Sequence, residues 1–226
     1  MARERDRPGC AAESRRRGES LMATASRVRR WLLVEQPGPW GREALTESRL
    51  DTAIAQTLRS RARRDGVRVV LIRRPGWEES DGQRVYLVRS DRTHRWIVRR
   101  DLDEPGALLS IDLAVLAADE PPPGSTVVRD TVRLVCTNGK HDPCCADFGR
   151  PVVRALRDAG VGEVWESSHV GGDRFAANLV LLPTGVYYGR VPPDDAARLV
   201  EDHDRGLLHL DHYRGRSCYQ PMTQAA

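Results

Sequence analysis

Residues 127–136 read VVRDTVRLVC, the loop 137–143 reads TNGKHDP, and residues 144–160 read CCADFGRPVVRALRDAG. The apolar, β-branched run 127–135 predicts a strand that delivers Cys136 to its end. A helix is predicted near 151–159, with Val152, Val153 and Leu156 inward and Gly160 stopping it. Outward from this stretch, 164–167 predicts the next strand. Residues 175–182 and 186–191 predict a hairpin turned by Pro183, Thr184 and Gly185, and 194–202 a closing helix.

The same order of elements stands upstream. A strand is predicted at 31–34, then a Pro/Gly loop over 37–41, then a helix from about 44 to 64. Leu50, Ile54 and Leu58 share one face of that helix, and Gly66 stops it. An apolar strand follows at 67–72, a hairpin over 84–90 and 94–100, and a helix over 110–118. A βαβ unit followed by a hairpin and a helix is the thioredoxin-like plan. The predicted fold class is therefore α/β, thioredoxin-like, with two tandem βαβ-ββα units. The corresponding division is a basic lead-in at 1–26, a first domain at 27–120, a second at 126–204 and a tail at 205–226. The alternative organisation is one continuous mixed sheet covered by four helices. Within the tail, 213–217 is predicted as a loop.

The chain has 226 residues, of which 40% are apolar and 30% charged, as in an ordinary folded protein. Its formal net charge of +4 is concentrated at the front. Residues 1–30 hold nine arginines against Glu4, Asp6, Glu13 and Glu19, so the rest of the chain is nearly neutral. That leaves no surplus of the kind nucleic-acid binding needs, and the basic head is expected to be solvated. Nowhere does an apolar run approach the length of a membrane span, nor does one follow the basic N-terminus as in a secretory signal. The expectation is a cytoplasmic protein without nucleic-acid or membrane partners.

Chemistry concentrates in the cysteines. There are five, at 10, 136, 144, 145 and 218, an odd number that makes a poor disulfide framework. Clustered cysteines in a cytosolic chain more often bind metal or carry out redox chemistry. In the predicted fold, the loop after the strand ending at Cys136 and the loop His169–Asp173 lie at the same end of the sheet. Cys136 and Cys145 then face His169 and Asp173, two ligands from each of two loops, which is what a [2Fe–2S] rhomb requires. The Gly171–Gly172 pair lets backbone pass close to such a group. Cys10 and Cys218 stand isolated and are expected to be non-ligands. His203, His209 and His212 are expected at a solvated helix end, and Trp40, Trp165 and Phe175 in packing.

These residues also carry a resemblance. The run Cys136-Thr137-Asn138-Gly139, Asp142-Pro143-Cys144-Cys145-Ala146 and Gly149-Arg150-Pro151 resembles the sucrase/ferredoxin-like family. So does the block from Trp165 through His169-Val170-Gly171-Gly172-Asp173-Arg174-Phe175-Ala176-Ala177-Asn178, with Tyr188-Gly189-Arg190 after it. In the first half the similarity continues at Cys10-Ala11-Ala12, Gly18-Glu19 and 34–41. The resemblance implies a thioredoxin-like ferredoxin domain binding [2Fe–2S] through two cysteines and two histidines, the latter as His-x-Gly-Gly-His. Carried over by position, this gives Cys136, Cys145 and His169. The fourth position is Asp173, not histidine, and Cys144 and His141 are the local substitutes.

The implied function is one-electron transfer between a flavin or iron–sulfur donor and a partner enzyme, with the oligomeric state undetermined. Two other readings stand beside it. One is thiol–disulfide chemistry at Cys144 or Cys145 near a helix start, and the other a cluster-free binding domain. Glycoside hydrolysis needs two opposed carboxylates, and no motif supplies them.

Overall fold

The computed structural model describes residues 9–76 and 82–224. In chain order the elements are α1 (Cys10–Arg16), β1 (Arg30–Glu35), α2 (Thr52–Arg64), β2 (Arg68–Arg73), β3 (Gln83–Ser90) and β4 (Arg95–Leu102). After them come β5 (Thr126–Val127), β6 (Val132–Cys136), α3 (Pro143–Asp158), β7 (Val164–Ser167), β8 (Leu179–Leu182) and β9 (Val186–Tyr188). The last are α4 (Pro193–Asp204), β10 (Tyr213–Arg216) and α5 (Pro221–Gln224).

The strands form one ten-stranded mixed sheet in the order β10-β9-β8-β6-β7-β2-β1-β3-β4-β5. β1 runs parallel to β2 across α2, and β6 parallel to β7 across α3. Each parallel pair carries an antiparallel hairpin on its outer side, β3–β4 beside β1 and β8–β9 beside β6. The two halves meet where β2 and β7 pair antiparallel, with Ile72 opposite Ser167 and Arg73 opposite Glu166.

Successive side chains of a strand point to opposite faces, and here both faces are buried. On one face Trp31, Leu33, Ile72, Tyr86, Leu134, Trp165 and Tyr187 form a single apolar layer that runs through both halves. On the other, α2 packs over Leu32, Val34 and Leu87, while α3 and α4 pack over Val135, Leu179 and Tyr188. Cys136 and Cys145 belong to the shared layer.

Several expectations are corrected. The helix predicted over 44–64 begins only at Thr52, because the Asp51 side chain accepts from the amides of Ala53 and Ile54 and caps it there. The segment 110–118 is not an α-helix. Its place is taken by two short 3-10 segments, Pro105–Ser110 and Leu113–Ala117. The strand predicted over 127–135 is interrupted, and the helix predicted near 151 starts at Pro143, so that Cys144 and Cys145 lie in its first turn. The predicted loop 213–217 contains β10, which pairs with β9 and lengthens the sheet.

The lead-in is corrected over its described part. Residues 1–8 lie outside the described residues. From Cys10 the chain forms α1, with Ala11 fully buried against Cys144 and Ala176. The histidines near the end are not a solvated set either: His203 is buried, and His209 contacts Asp202 at 2.7 Å.

Candidate metal centre

Two loops converge because two strands run parallel. In the β6–β7 register Cys136 lies beside Ser167, so the chain leaving β6 emerges next to the chain leaving β7. The Thr137 amide donates to the Ser167 carbonyl at 3.1 Å. His169 follows two residues later, fixed by its neighbour: the Ser168 amide donates to the Leu71 carbonyl at 2.8 Å, and the Leu71 amide donates to Ser168 Oγ at 3.0 Å. Arg68 Nη2 donates to the His169 carbonyl at 3.0 Å. The strand β2 from the other half thus helps hold this loop.

The third donor comes from α3. Asp142 caps the helix, its Oδ1 accepting from the Cys144 amide at 2.8 Å, and Pro143 occupies the first turn, where its missing N–H costs nothing. Gly149 brings the helix close to the end of β6. A Cβ there would lie 2.1 Å from the Cys136 carbonyl oxygen. Cys145 is thereby pressed toward Cys136.

The resulting triangle is tight. Cys136 Sγ lies 4.0 Å and Cys145 Sγ 3.9 Å from His169 Nδ1, and the ligand atoms of all three residues lie within 4.8 Å of one another. Both cysteines are buried. The Cys145 thiol hydrogen-bonds to Cys136 and holds the Cys136 thiol well below its ordinary range, against the effect of burial and with the help of His169. The same hydrogen bond, reinforced by burial, pushes Cys145 up. The ring of His141 stacks on that of His169, with centroids 3.7 Å apart and planes 17° apart.

The other two expected site residues fall into a neighbouring group. Cys10 Sγ lies 3.6 Å from Cys144 Sγ, 3.1 Å from Asp142 Oδ2 and 3.8 Å from Asp173 Oδ2. Asp173 acts on Cys145 through its charge, raising the thiol further. Arg174 turns away from this group and pairs with Glu19 at 2.9 Å.

Sequence reasoning passed over Cys10 and Arg214. Arg214, on β10, is buried and donates to the carbonyls of Gly171 and Thr24, to Thr24 Oγ1 and to Asn178 Oδ1. Gly172 has φ of 79°, and a Cβ there would meet the Arg214 guanidinium at 2.2 Å. Asn178 Nδ2 closes the arrangement by donating to the Gly172 carbonyl at 2.8 Å. Arg214 and Asn178 together fix the His-x-Gly-Gly-Asp loop. A lone arginine in an irregular tail gives no periodic signal. The Cys10-Ala11-Ala12 motif did mark Cys10, but nothing local linked it to residues more than 130 positions away.

Two thiol sulfurs and an imidazole suit iron in an iron–sulfur site and suit zinc equally. No helix among the described residues is long and apolar enough to cross a membrane.

Known proteins resemble the chain at two levels. Among solved structures, the wild-type thioredoxin-like [2Fe–2S] ferredoxin from Aquifex aeolicus matches at 19% identity with a TM-score of 0.34, covering 39% of this chain and 100% of that one. A cysteine-to-serine variant of that ferredoxin matches at 20% identity with a TM-score of 0.33, covering 38% of this chain and 100% of its own. No curated protein matches. The sucrase/ferredoxin-like family model matches residues 21–215, from the segment after α1 through β10. The match takes in the Cys136 loop, the first turn of α3 and the His169 block, and the chain belongs to the sucrase/ferredoxin-like family.

Proposed function

We propose that the chain is a one-electron carrier whose Cys136, Cys145 and His169 hold a [2Fe–2S] cluster, with Asp173 in the fourth position. The observation that carries this reading is the approach of both Cys136 Sγ and Cys145 Sγ to within 4.0 Å of His169 Nδ1. Each half of the sheet is read as one thioredoxin-like unit, and the cluster belongs to the second.

Bound there, such a cluster supplies reversible one-electron chemistry at a potential raised by imidazole ligation. The residues divide the remaining work. Cys136, whose thiol is held well below its ordinary range, gives up its proton more readily than Cys145. Stacked His141 keeps the His169 ring in one orientation. Beside them a surface cavity of about 360 Å³ is walled by Arg42, Arg59, Arg63, Arg68 and both histidines. That basic rim suits an acidic flavin or iron–sulfur partner protein, and the electron passes along the short path through His169. The five cysteines, all free, fit a cytosolic setting.

The test is electron paramagnetic resonance of anaerobically purified, dithionite-reduced protein. A signal of one unpaired electron per cluster is expected. Cys136→Ala, Cys145→Ala and His169→Ala should abolish or reshape it, and an unchanged signal in Asp173→Ala removes Asp173 from the ligand set. The Cys136–Cys145 hydrogen bond also favours a second reading, thiol–disulfide exchange. Colourless protein with two rapidly titrating thiols and no signal supports that one.

A further inference from the structure

The group around Cys10 is separate from the triangle at His169, and it has the makings of a site of its own. Cys10, Asp142 and Cys144 bring their ligand atoms within 4.8 Å of one another. Cys10 Sγ stands 3.6 Å from Cys144 Sγ and 3.1 Å from Asp142 Oδ2. A tetrahedral zinc with Zn–S of about 2.3 Å and Zn–O of about 2.0 Å sets sulfur–sulfur edges near 3.8 Å and sulfur–oxygen edges near 3.5 Å. The two edges at Cys10 already stand close to those spacings, and the third lies within 4.8 Å.

Asp142 divides its oxygens in a telling way. Oδ1 caps α3 through the Cys144 amide, and Oδ2 is left facing Cys10. The carboxylates of Asp142 and Asp173 both face Cys10 Sγ, with Oδ2 at 3.1 Å and 3.8 Å. Among the described residues no arginine, lysine or histidine forms an ion pair with either, and Arg174 is committed to Glu19. Arg15 of α1 is engaged with the Ala176 carbonyl and the Phe148 ring. The N-terminal segment is also pressed onto the site: a Cβ on Gly9 would lie 2.8 Å from Cys144 Sγ. Two half-buried carboxylates beside two thiols, with no cation paired to either carboxylate among the described residues, are what a divalent ion would neutralise.

We propose that Cys10, Asp142 and Cys144 bind one divalent cation of zinc type at a second centre, with water in the fourth position. Binding replaces the Cys10 and Cys144 thiol protons, which pass to solvent, so two protons leave for each ion bound. The ion ties α1 to the first turn of α3, and Asp173 stands at the border between the two centres.

The test uses the full chain carrying Cys136→Ala and Cys145→Ala, which removes both sulfurs from the His169 group. Titration with cobalt(II) is expected to give one equivalent bound, with a thiolate-to-cobalt charge-transfer band of tetrahedral type. Adding Cys10→Ala or Cys144→Ala should lower that band by at least half. Adding Asp142→Asn should weaken cobalt binding about tenfold or more. No band in the starting variant, or a band indifferent to Cys10→Ala, overturns the proposal. Should the starting variant fail to fold, zinc and iron are measured instead in the otherwise unaltered chain with and without Cys10→Ala. Loss of one zinc with iron unchanged supports the site, and zinc unchanged overturns it. Failure of the cluster reading removes the iron and its resonance signal but leaves the cobalt titration as described, so the two outcomes are separable.

Discussion

Arg73 and Glu166 meet across the seam where the two halves of the sheet join, with Nη2 2.6 Å and Nε 3.0 Å from the same Oε2. Both side chains are buried, at 4% and 7% exposure. Arg73 also donates to the Gly38 carbonyl and lies over the Trp40 ring, while Glu166 accepts from Thr137 Oγ1 at 2.8 Å. The pair therefore connects the Pro/Gly loop of the first half to the residue that follows Cys136.

Breaking this pair on one side leaves a buried charge without its partner, which costs about 3–5 kcal/mol. Arg73→Met and Glu166→Met should each lower the urea midpoint by a corresponding amount. The double variant Arg73→Met/Glu166→Met should lose less than the sum of the single losses. Strict additivity in the cycle would show that the two side chains are not coupled.

Gly149→Ala tests how the helix sets the cysteine. The added methyl would overlap the Cys136 carbonyl oxygen, so α3 must move away from β6. Overpacking of this kind costs roughly 1–3 kcal/mol. The variant is expected to be less stable in chemical denaturation, and its Cys136 and Cys145 thiols should react faster with an aromatic disulfide reagent. Equal stability and equal thiol reactivity would mean that the close approach does not position Cys136.

Arg214→Met removes the clamp on the His169 loop. Burial pulls the guanidinium down to about 10, and its hydrogen bonds compensate for that burial. Without it the carbonyls of Gly171 and Thr24 and the Asn178 side chain lose a donor, at about 1–3 kcal/mol for each group left buried and unpaired. Hydrogen exchange at the amides of residues 170–174 should accelerate by at least tenfold relative to those of β1. Unchanged exchange there would remove Arg214 from the positioning role.

His203 gives the fold a pH dependence. Burial holds its pKa below the ordinary 6.5, with Asp204 opposing and Arg133 and Arg216 adding to the effect. Its Nε2 contacts Thr184 Oγ1 at 3.1 Å, and Tyr188 meets the ring edge-on. The folded chain keeps this ring neutral to lower pH than the unfolded chain does. Above about pH 6.5 the unfolded chain is neutral as well, and the contribution is fully present. As pH falls below that value the unfolded chain takes up a proton that the folded chain does not, and stability is lost. The urea midpoint should fall between about pH 7 and pH 5, and less steeply in His203→Gln. Parallel pH profiles for the two proteins would contradict this assignment.

How much of this was legible in the sequence follows from the range of each interaction. The order of strands and helices could be read because apolar periodicity is local, and Cys136 could be matched with His169 because a parallel βαβ unit brings consecutive loops to one end. The start of α2 went wrong because a single cap at Asp51 outweighed a periodic pattern that extended further upstream. Strand β10 went unread because Tyr213-Arg214-Gly215-Arg216 is short and polar, and its pairing with β9 depends on the rest of the sheet being present. Cys10 was placed among the isolated residues for the same reason: its neighbours Asp142, Cys144 and Asp173 are assembled only by the tertiary fold.

The central claim is that the two cysteines and the histidine grouped at the ends of β6 and β7 hold a two-iron cluster. Iron and acid-labile sulfide analysis of the anaerobically purified chain tests it most directly. The account predicts two irons and two sulfides per chain, both lost in Cys136→Ala/Cys145→Ala. A single metal ion without sulfide in the Cys136, Cys145 and His169 group, or iron retained by that double variant, would contradict it.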